Sequence, residues 1–134
     1  LPSCSRISNV SHRKRLQTTR PSVTSHWTAC GFNFYVTVGF FDGPDTPAEE
    51  AYRPGELFVR FEKRGNELSG LIDGIAVTAS MALQHGVSWE TLREKWSGTR
   101  FGREDVDQKA TSLLDGLAQA VDECIRERRS ILGV

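Results

Sequence analysis

The stretch Leu68 to Val87, LSGLIDGIAVTASMALQHGV, constrains this chain more than any other. Apolar residues recur at Leu68, Leu71, Ile72, Ile75, Ala76, Ala79, Ala82 and Leu83. That i, i+3, i+4, i+7 spacing predicts a helix with one broad buried face. Asp73, Thr78 and Gln84 fall mostly off the stripe. Gly86 stands just past the last periodic residue, where a left-handed cap closes a helix. Gly70, Gly74, Ala76, Ala79 and Ser80 are small enough to let the helix sit close to whatever covers it. It reads as the central helix of one small domain.

The layer it packs on precedes it. Residues 23–29 alternate, with Val23, Trp27 and Ala29 on one side and Thr24, His26 and Thr28 on the other. Residues 32–41 form the clearest strand. Phe34, Val36, Val38 and Phe40 share one face and Tyr35, Thr37 and Phe41 the other, in residue types that suit a pleated surface. Cys30-Gly31 between these runs predicts a tight hairpin. Residues 42–54, DGPDTPAEEAYRP, carry turn signals and read as a loop. Residues 55–62 are a third strand, with Leu57, Val59 and Phe61 on one face and Phe58, Arg60 and Glu62 on the other.

Two more helices follow. Ser88 is a candidate N-cap for a short helix carrying Trp89, Leu92 and Trp96. A last helix is expected from about Asp105 to Arg126, with Ala110, Leu113, Leu114, Leu117, Ala118, Val121 and Ile125 as its stripe. The order is βββααα, a single α+β domain of three antiparallel strands followed by three helices. The expected core is Phe34, Val36, Val38, Leu57, Val59, Leu71, Ile75, Leu83, Leu114, Leu117 and Val121. The expected organisation is a flexible basic arm over 1–19, the folded domain over 20–126 and a C-terminal tail over 127–134.

Charge excludes some functions and leaves others open. Lys and Arg number 17, as do Asp and Glu, so no overall field favours nucleic acid or a membrane. The distribution is uneven, because residues 1–20 hold Arg6, Arg13, Lys14, Arg15 and Arg20 and no acid. Arg13, Lys14 and Arg15 are therefore candidates for contact with phosphate or an acidic partner. Lys63, Arg64, Gly65 and Asn66 precede the central helix, whose free N–H groups favour anions, and form a second candidate site with Arg100. No apolar run approaches the roughly 20 residues of a membrane span. The first residues lack the apolar core of a signal peptide, so a cytoplasmic location is the default expectation.

Cys4, Cys30 and Cys124 are odd in number and widely spaced, which argues against a disulfide framework and a zinc module. His26 and Cys30 make at most half a metal site. No catalytic constellation or cofactor motif is visible, so no catalytic residue, metal or cofactor is expected. An enzyme here would need a general base, and His85 is the one helix-end histidine on offer. Tyr35, Phe41 and Phe58 make the second sheet face mixed rather than a clear water face. Either the later helices cover it, or these residues are the expected interface of a homodimer or larger oligomer, for which an edge strand of the three-stranded sheet is the other expected surface.

Several stretches resemble the TSCPD domain, found near the C-terminus of adenosylcobalamin-dependent ribonucleotide reductases and as short free-standing bacterial and phage proteins. They are Arg20 to Thr24, Tyr35 to Gly39, Gly55 to Val59, Lys63 with Gly65, Ser80 to Val87, Gly98 to Phe101 and Ser112 to Asp115, in the family's order. The Cys-bearing signature that names the family is absent, as are a C-terminal CxxC pair and the proline that usually follows GTRF-x. The resemblance thus implies a non-catalytic accessory domain, with a reductase as a candidate partner, and not reductase activity. The alternative is a phage-type binding protein that meets nucleic acid, nucleotide phosphates or another protein through the basic arm or the helix N-terminus.

Overall fold

The computed structural model describes residues 12–62, 67–101 and 109–134. The described strands are β1 (Ser22–Ala29), β2 (Phe32–Phe40) and β3 (Pro54–Phe61). The helices are α1 (Glu67–Gln84), α2 (Trp89–Trp96) and α3 (Leu113–Leu132). The sheet is an antiparallel meander in the order β1-β2-β3, as the alternation predicts. Cys30 and Gly31 turn β1 into β2 with φ of 53° and 83°. Positive φ at both central residues gives the hairpin a twist that matches its strands.

One face of the sheet carries the core. Phe34, Val36, Val38 and Phe40 are fully buried, and Leu57 and Phe61 join them from β3. Helix α3 lies against β1 and β2, and α1 lies against β3. Ile72, Ala76, Ala79 and Leu83 are the apolar residues α1 buries, with Gln84 buried beside them. Val87 N–H reaches the Ala82 carbonyl at 3.0 Å and Gly86 N–H the Leu83 carbonyl at 3.2 Å. With Gly86 at φ 97°, this is the left-handed closure its position predicts.

Four expectations are corrected. Leu71 is not core but 68% exposed. It sits one step round the helix, on a second stripe that faces α2, and α2 has only 8 residues against the 18 of α1. Gly70, Leu71, Gly74 and Ile75 of α1 and Leu92 and Trp96 of α2 therefore line an open groove of about 520 Å³.

Phe41 is not on the second sheet face. The pairing shifts between Gly39 and Phe40, where Gly39 faces Glu56 and Phe40 faces Pro54, passing over Gly55. This bulge breaks the alternation, and Phe40 and Phe41 are both buried. A Cβ on Gly55 would stand 2.8 Å from the Phe41 ring, so the ring lies directly on the glycine.

The last helix is Leu113–Leu132, and the expected start near Asp105 lies outside the described residues. Ser112 is its N-cap, accepting the Asp115 N–H at 3.0 Å. Lys109 to Thr111 are outside the helix, although Ala110 is buried. The helix continues to Leu132, so 127–132 is its final part and not a tail. Arg128, 8% exposed, donates to Asp42 at 2.9 Å and to the Ala51 carbonyl at 3.1 Å.

The described part of the basic arm, 12–19, lies on the domain. Lys14 N–H donates to the Gln84 carbonyl at 2.7 Å, and a Cβ on Gly55 would stand 3.0 Å from Leu16. Residues 1–11 lie outside the described residues.

Two consecutive acids on α3 tie the layers together. Asp122 accepts the Trp89 indole N–H at 2.7 Å from α2, and Glu123 accepts that of Trp27 from β1. Trp89 and Trp96 meet edge to face with centroids 5.5 Å apart.

Candidate functional site

The polar residues singled out in the sequence that the structure describes are placed by different elements. Arg13 donates to the Gln84 side chain at 2.6 Å. The Lys14 ammonium lies 5.1 Å from the Phe41 ring centroid, with the Arg53 guanidinium at 5.3 Å from the same ring. These cations gather where α1 ends, as a helix C-terminus favours. Arg15 is exposed. Arg100 is exposed in the segment after α2. Lys63, Arg64, Gly65 and Asn66 lie outside the described residues, and so does Cys4.

Ser80, Gln84 and His85 of the SMALQHGV stretch make bonds within the fold. Ser80 Oγ accepts the Leu57 N–H at 2.8 Å and lies 2.8 Å from the Ala76 carbonyl, and Gln84 donates to the Gly55 carbonyl at 2.9 Å. Helix α1 thereby satisfies backbone groups on the outer side of β3. His85 Nδ1 bonds the Met81 carbonyl at 2.8 Å.

Gly98, Thr99, Ser112 and Asp115 meet in a second network. Asp115 accepts the N–H of Gly98 at 2.7 Å and of Thr111 at 3.0 Å, and the Gln119 amide at 3.0 Å. Thr99 and Ser112 hydroxyls lie 2.7 Å apart, and Thr111 donates to the Thr99 carbonyl at 2.8 Å. Burial pushes the Asp115 carboxyl upward, but the bonds from Gly98, Thr111 and Gln119 outweigh it and hold the group below its ordinary value. The network joins the end of α2 to the start of α3.

A third constellation was not singled out as a site. Arg20 donates from Nε to Glu56 Oε1 at 2.5 Å and from Nη2 to Oε2 at 3.0 Å, a bidentate pair. Its Nη1 reaches the Gln17 carbonyl at 3.1 Å. The signal was present, since Arg20, Gly39 and Glu56 each lie in a stretch with family resemblance. The bonds to Glu56 raise the Arg20 pKa further above its ordinary value.

Of the three expected interface residues, Tyr35 and Phe58 stay on the second sheet face as diagonal neighbours across β2 and β3, and Phe41 leaves it. Tyr35 is half-buried, stacked on His26 with centroids 4.6 Å apart and with Arg60 5.3 Å from its ring. Phe58 is 55% exposed and Phe41 is in the core. The uncovered face otherwise carries Thr24, Thr28, Asn33, Thr37 and Glu62, joined by bonds such as Thr24 to Thr37 at 2.8 Å. Cys30 and Cys124 are buried, and burial pushes the Cys124 thiol up. No cluster of His, Cys, Asp and Glu suited to a metal occurs among the described residues, and no described helix is long and apolar enough to cross a membrane.

The fold is thus a small α+β domain whose motif residues knit strands to helices. The TSCPD domain model matches residues 6–125, and the chain belongs to that family. It is 33% identical over 129 residues to the vitamin B12-dependent ribonucleotide reductase of Streptomyces clavuligerus, covering 91% of this chain and 13% of that protein. Against the vitamin B12-dependent ribonucleotide reductase of Rhodopirellula baltica the identity is 37% over 89 residues, covering 66% and 8%. For that of Agrobacterium fabrum it is 30% over 110 residues, covering 77% and 8%. The chain spans about an eighth or less of the length of these relatives. No solved structure matches it significantly.

Proposed function

We propose that this chain is a non-catalytic accessory domain that works with a vitamin B12-dependent ribonucleotide reductase through protein–protein contact. One observation carries the reading. The family-like polar residues Arg20, Glu56, Ser80, Gln84 and Asp115 spend their polar atoms on one another and on the backbone of the fold. Catalysis requires groups that converge on a reacting atom, and these converge on the fold. The relatives support a reductase as partner, because each carries the matching region within a much longer chain. The placement of Arg13 and Lys14 on Gln84 and Phe41 weighs against an arm held ready for nucleic acid.

The test has two parts. The purified chain, given ribonucleoside diphosphate or triphosphate, adenosylcobalamin and a dithiol, is expected to form no deoxyribonucleotide. Titrated onto a vitamin B12-dependent reductase from the same organism, it is expected to bind stoichiometrically by calorimetry. Turnover by the chain alone, or no binding to the reductase, would overturn the proposal.

A further inference from the structure

The sheet has two edges, and they are treated differently. The outer side of β3 lies against α1, where Ser80 takes the Leu57 N–H and Gln84 the Gly55 carbonyl. On its outer side β1 pairs with no strand among the described residues. Phe40 N–H donates to the Pro21 carbonyl at 3.0 Å, so Pro21 faces β2. Antiparallel pairing alternates, so Val23, Ser25, Trp27 and Ala29 also direct their backbone groups at β2. The N–H and C=O groups of Ser22, Thr24, His26 and Thr28 therefore point outward. Edge strands are normally guarded by charge, proline or a bulge. Ser22–Ala29 contains no Lys, Arg, Asp, Glu or Pro and pairs with β2 in unbroken register.

We infer that β1 is the interface of a two-fold homodimer in which β1 pairs antiparallel with β1 of a second copy, making one continuous six-stranded sheet. The occupant follows from parity and from what the alternatives bring together. Outward-facing residues must pair with outward-facing residues, so the two-fold axis passes through a residue rather than between two, and the fullest overlap of Ser22–Ala29 with its copy puts it at Ser25 or His26. With the axis at His26, the two imidazoles stand opposite each other and Trp27 faces a serine. With the axis at Ser25, Thr24 pairs with the second copy's His26 and Ser22 with its Thr28, giving about eight backbone hydrogen bonds. Val23 then lies opposite the second copy's Trp27. Both are half-buried at the rim of the core, and an aromatic against a β-branched residue is a favourable cross-strand pair.

The helix layer agrees with this register. Cys124 Sγ lies 3.5 Å from Ser25 Oγ, so the axis passes close to Cys124 on α3. Exposed Glu123 and Arg126 flank that level and bring opposite charges to the second copy's α3. Ser80 and Gln84 of α1 occupy part of the β3 edge, whereas β1 pairs on its outer side with no strand among the described residues, so the contact is placed at β1. The contact is then isologous and closes at two copies without forming a fibre. The inference is independent of the accessory role proposed above.

Sedimentation of the whole chain at tens of micromolar tests it, with a mass about twice the 14.9 kDa of one chain expected. Thr24→Pro and His26→Pro each remove an outward N–H and no bond to β2, so they are expected to weaken dimerisation about tenfold or more while the domain stays folded. Amide exchange at Thr24 and His26 in the unaltered chain is expected to slow as concentration rises, and this reading stands even if a proline variant fails to fold. Four results would each overturn the inference: a monomer at tens of micromolar, a dimer indifferent to folded proline variants, concentration-independent exchange at Thr24 and His26, or protection of those amides in a monomer, which would mean that the chain covers its own edge.

Discussion

Arg20 and Glu56 form a bidentate ion pair beside Gly39, and the pair exists because Gly39 has no side chain. A Cβ at that position would stand 2.3 Å from Glu56 Oε1 and 2.6 Å from its Cγ. Gly39→Ala must therefore displace the carboxylate from Arg20. We expect a loss of about 1–3 kcal/mol in chemical denaturation. Because the damage runs through Glu56, Glu56→Ala in the Gly39→Ala background should cost less than Glu56→Ala alone. Equal costs in the two backgrounds would separate the glycine from the pair.

Asp115 gives the fold an acid-sensitive joint. Its carboxyl is held below the ordinary 3.8, so its contribution to stability is complete above that value and is lost as pH falls from there through the folded value. Asp115→Asn keeps the size but turns an amide toward donors that need an acceptor. A loss of about 1–3 kcal/mol near neutral pH is expected, with a shallower decline of melting temperature in acid than the unaltered chain shows. Parallel acid limbs for the two proteins would place the titration elsewhere.

Val36 is fully buried in the middle strand. Val36→Asp puts a carboxylate among Phe34, Val38 and Leu57 with no partner. A loss on the order of 4 kcal/mol or more is expected, enough to unfold a domain of ordinary stability. An unchanged thermal melt would remove Val36 from the core.

Neighbours on α1 should respond in opposite ways. Ile72→Lys buries an ammonium and should cost several kcal/mol, on the order of 3. Leu71→Lys should leave stability within about 0.5 kcal/mol, since its site is open. Comparable losses would mean that Leu71 is covered in solution.

Ser80→Ala leaves the Leu57 N–H without its acceptor at the β3 edge. A cost of about 1–2 kcal/mol is expected, together with faster exchange of the Leu57 amide.

These residues also show what could be read from the sequence. Alternation in 32–40 and 55–61 and the 3.6 period of α1 are backbone rules written directly in residue order, and they yielded the sheet, its order and the helix. The faces of Leu71 and Phe41 were not legible because each depends on another element: the length of α2 for the first, the bulge at Gly55 for the second. The start of α3 was legible in principle, since Ser112 stands three residues before Asp115. Ala110 disguised it by continuing the apolar spacing outside the helix. The polar networks escaped for a different reason. Arg20 and Glu56 are 36 positions apart, and nothing local reveals that Gly39 leaves space for them. What Arg13 and Lys14 touch was not legible either, because the aromatic ring and the helix end they meet come from distant stretches of the chain.

Asp122 and Glu123 hold indoles that belong to opposite sides of α3, Trp89 on α2 and Trp27 on β1. The chain has three tryptophans, and the remaining one, Trp96, touches Trp89. Its intrinsic fluorescence is therefore almost wholly a report on the seating of a single helix. Trp27→Phe isolates the signal from the α2 side, and the Trp89→Phe, Trp96→Phe double variant isolates the signal from the β1 side. In a denaturant titration the two emission curves would coincide if α3 leaves both neighbours in one step. Two separate midpoints would identify which side lets go first, with no label added to the protein.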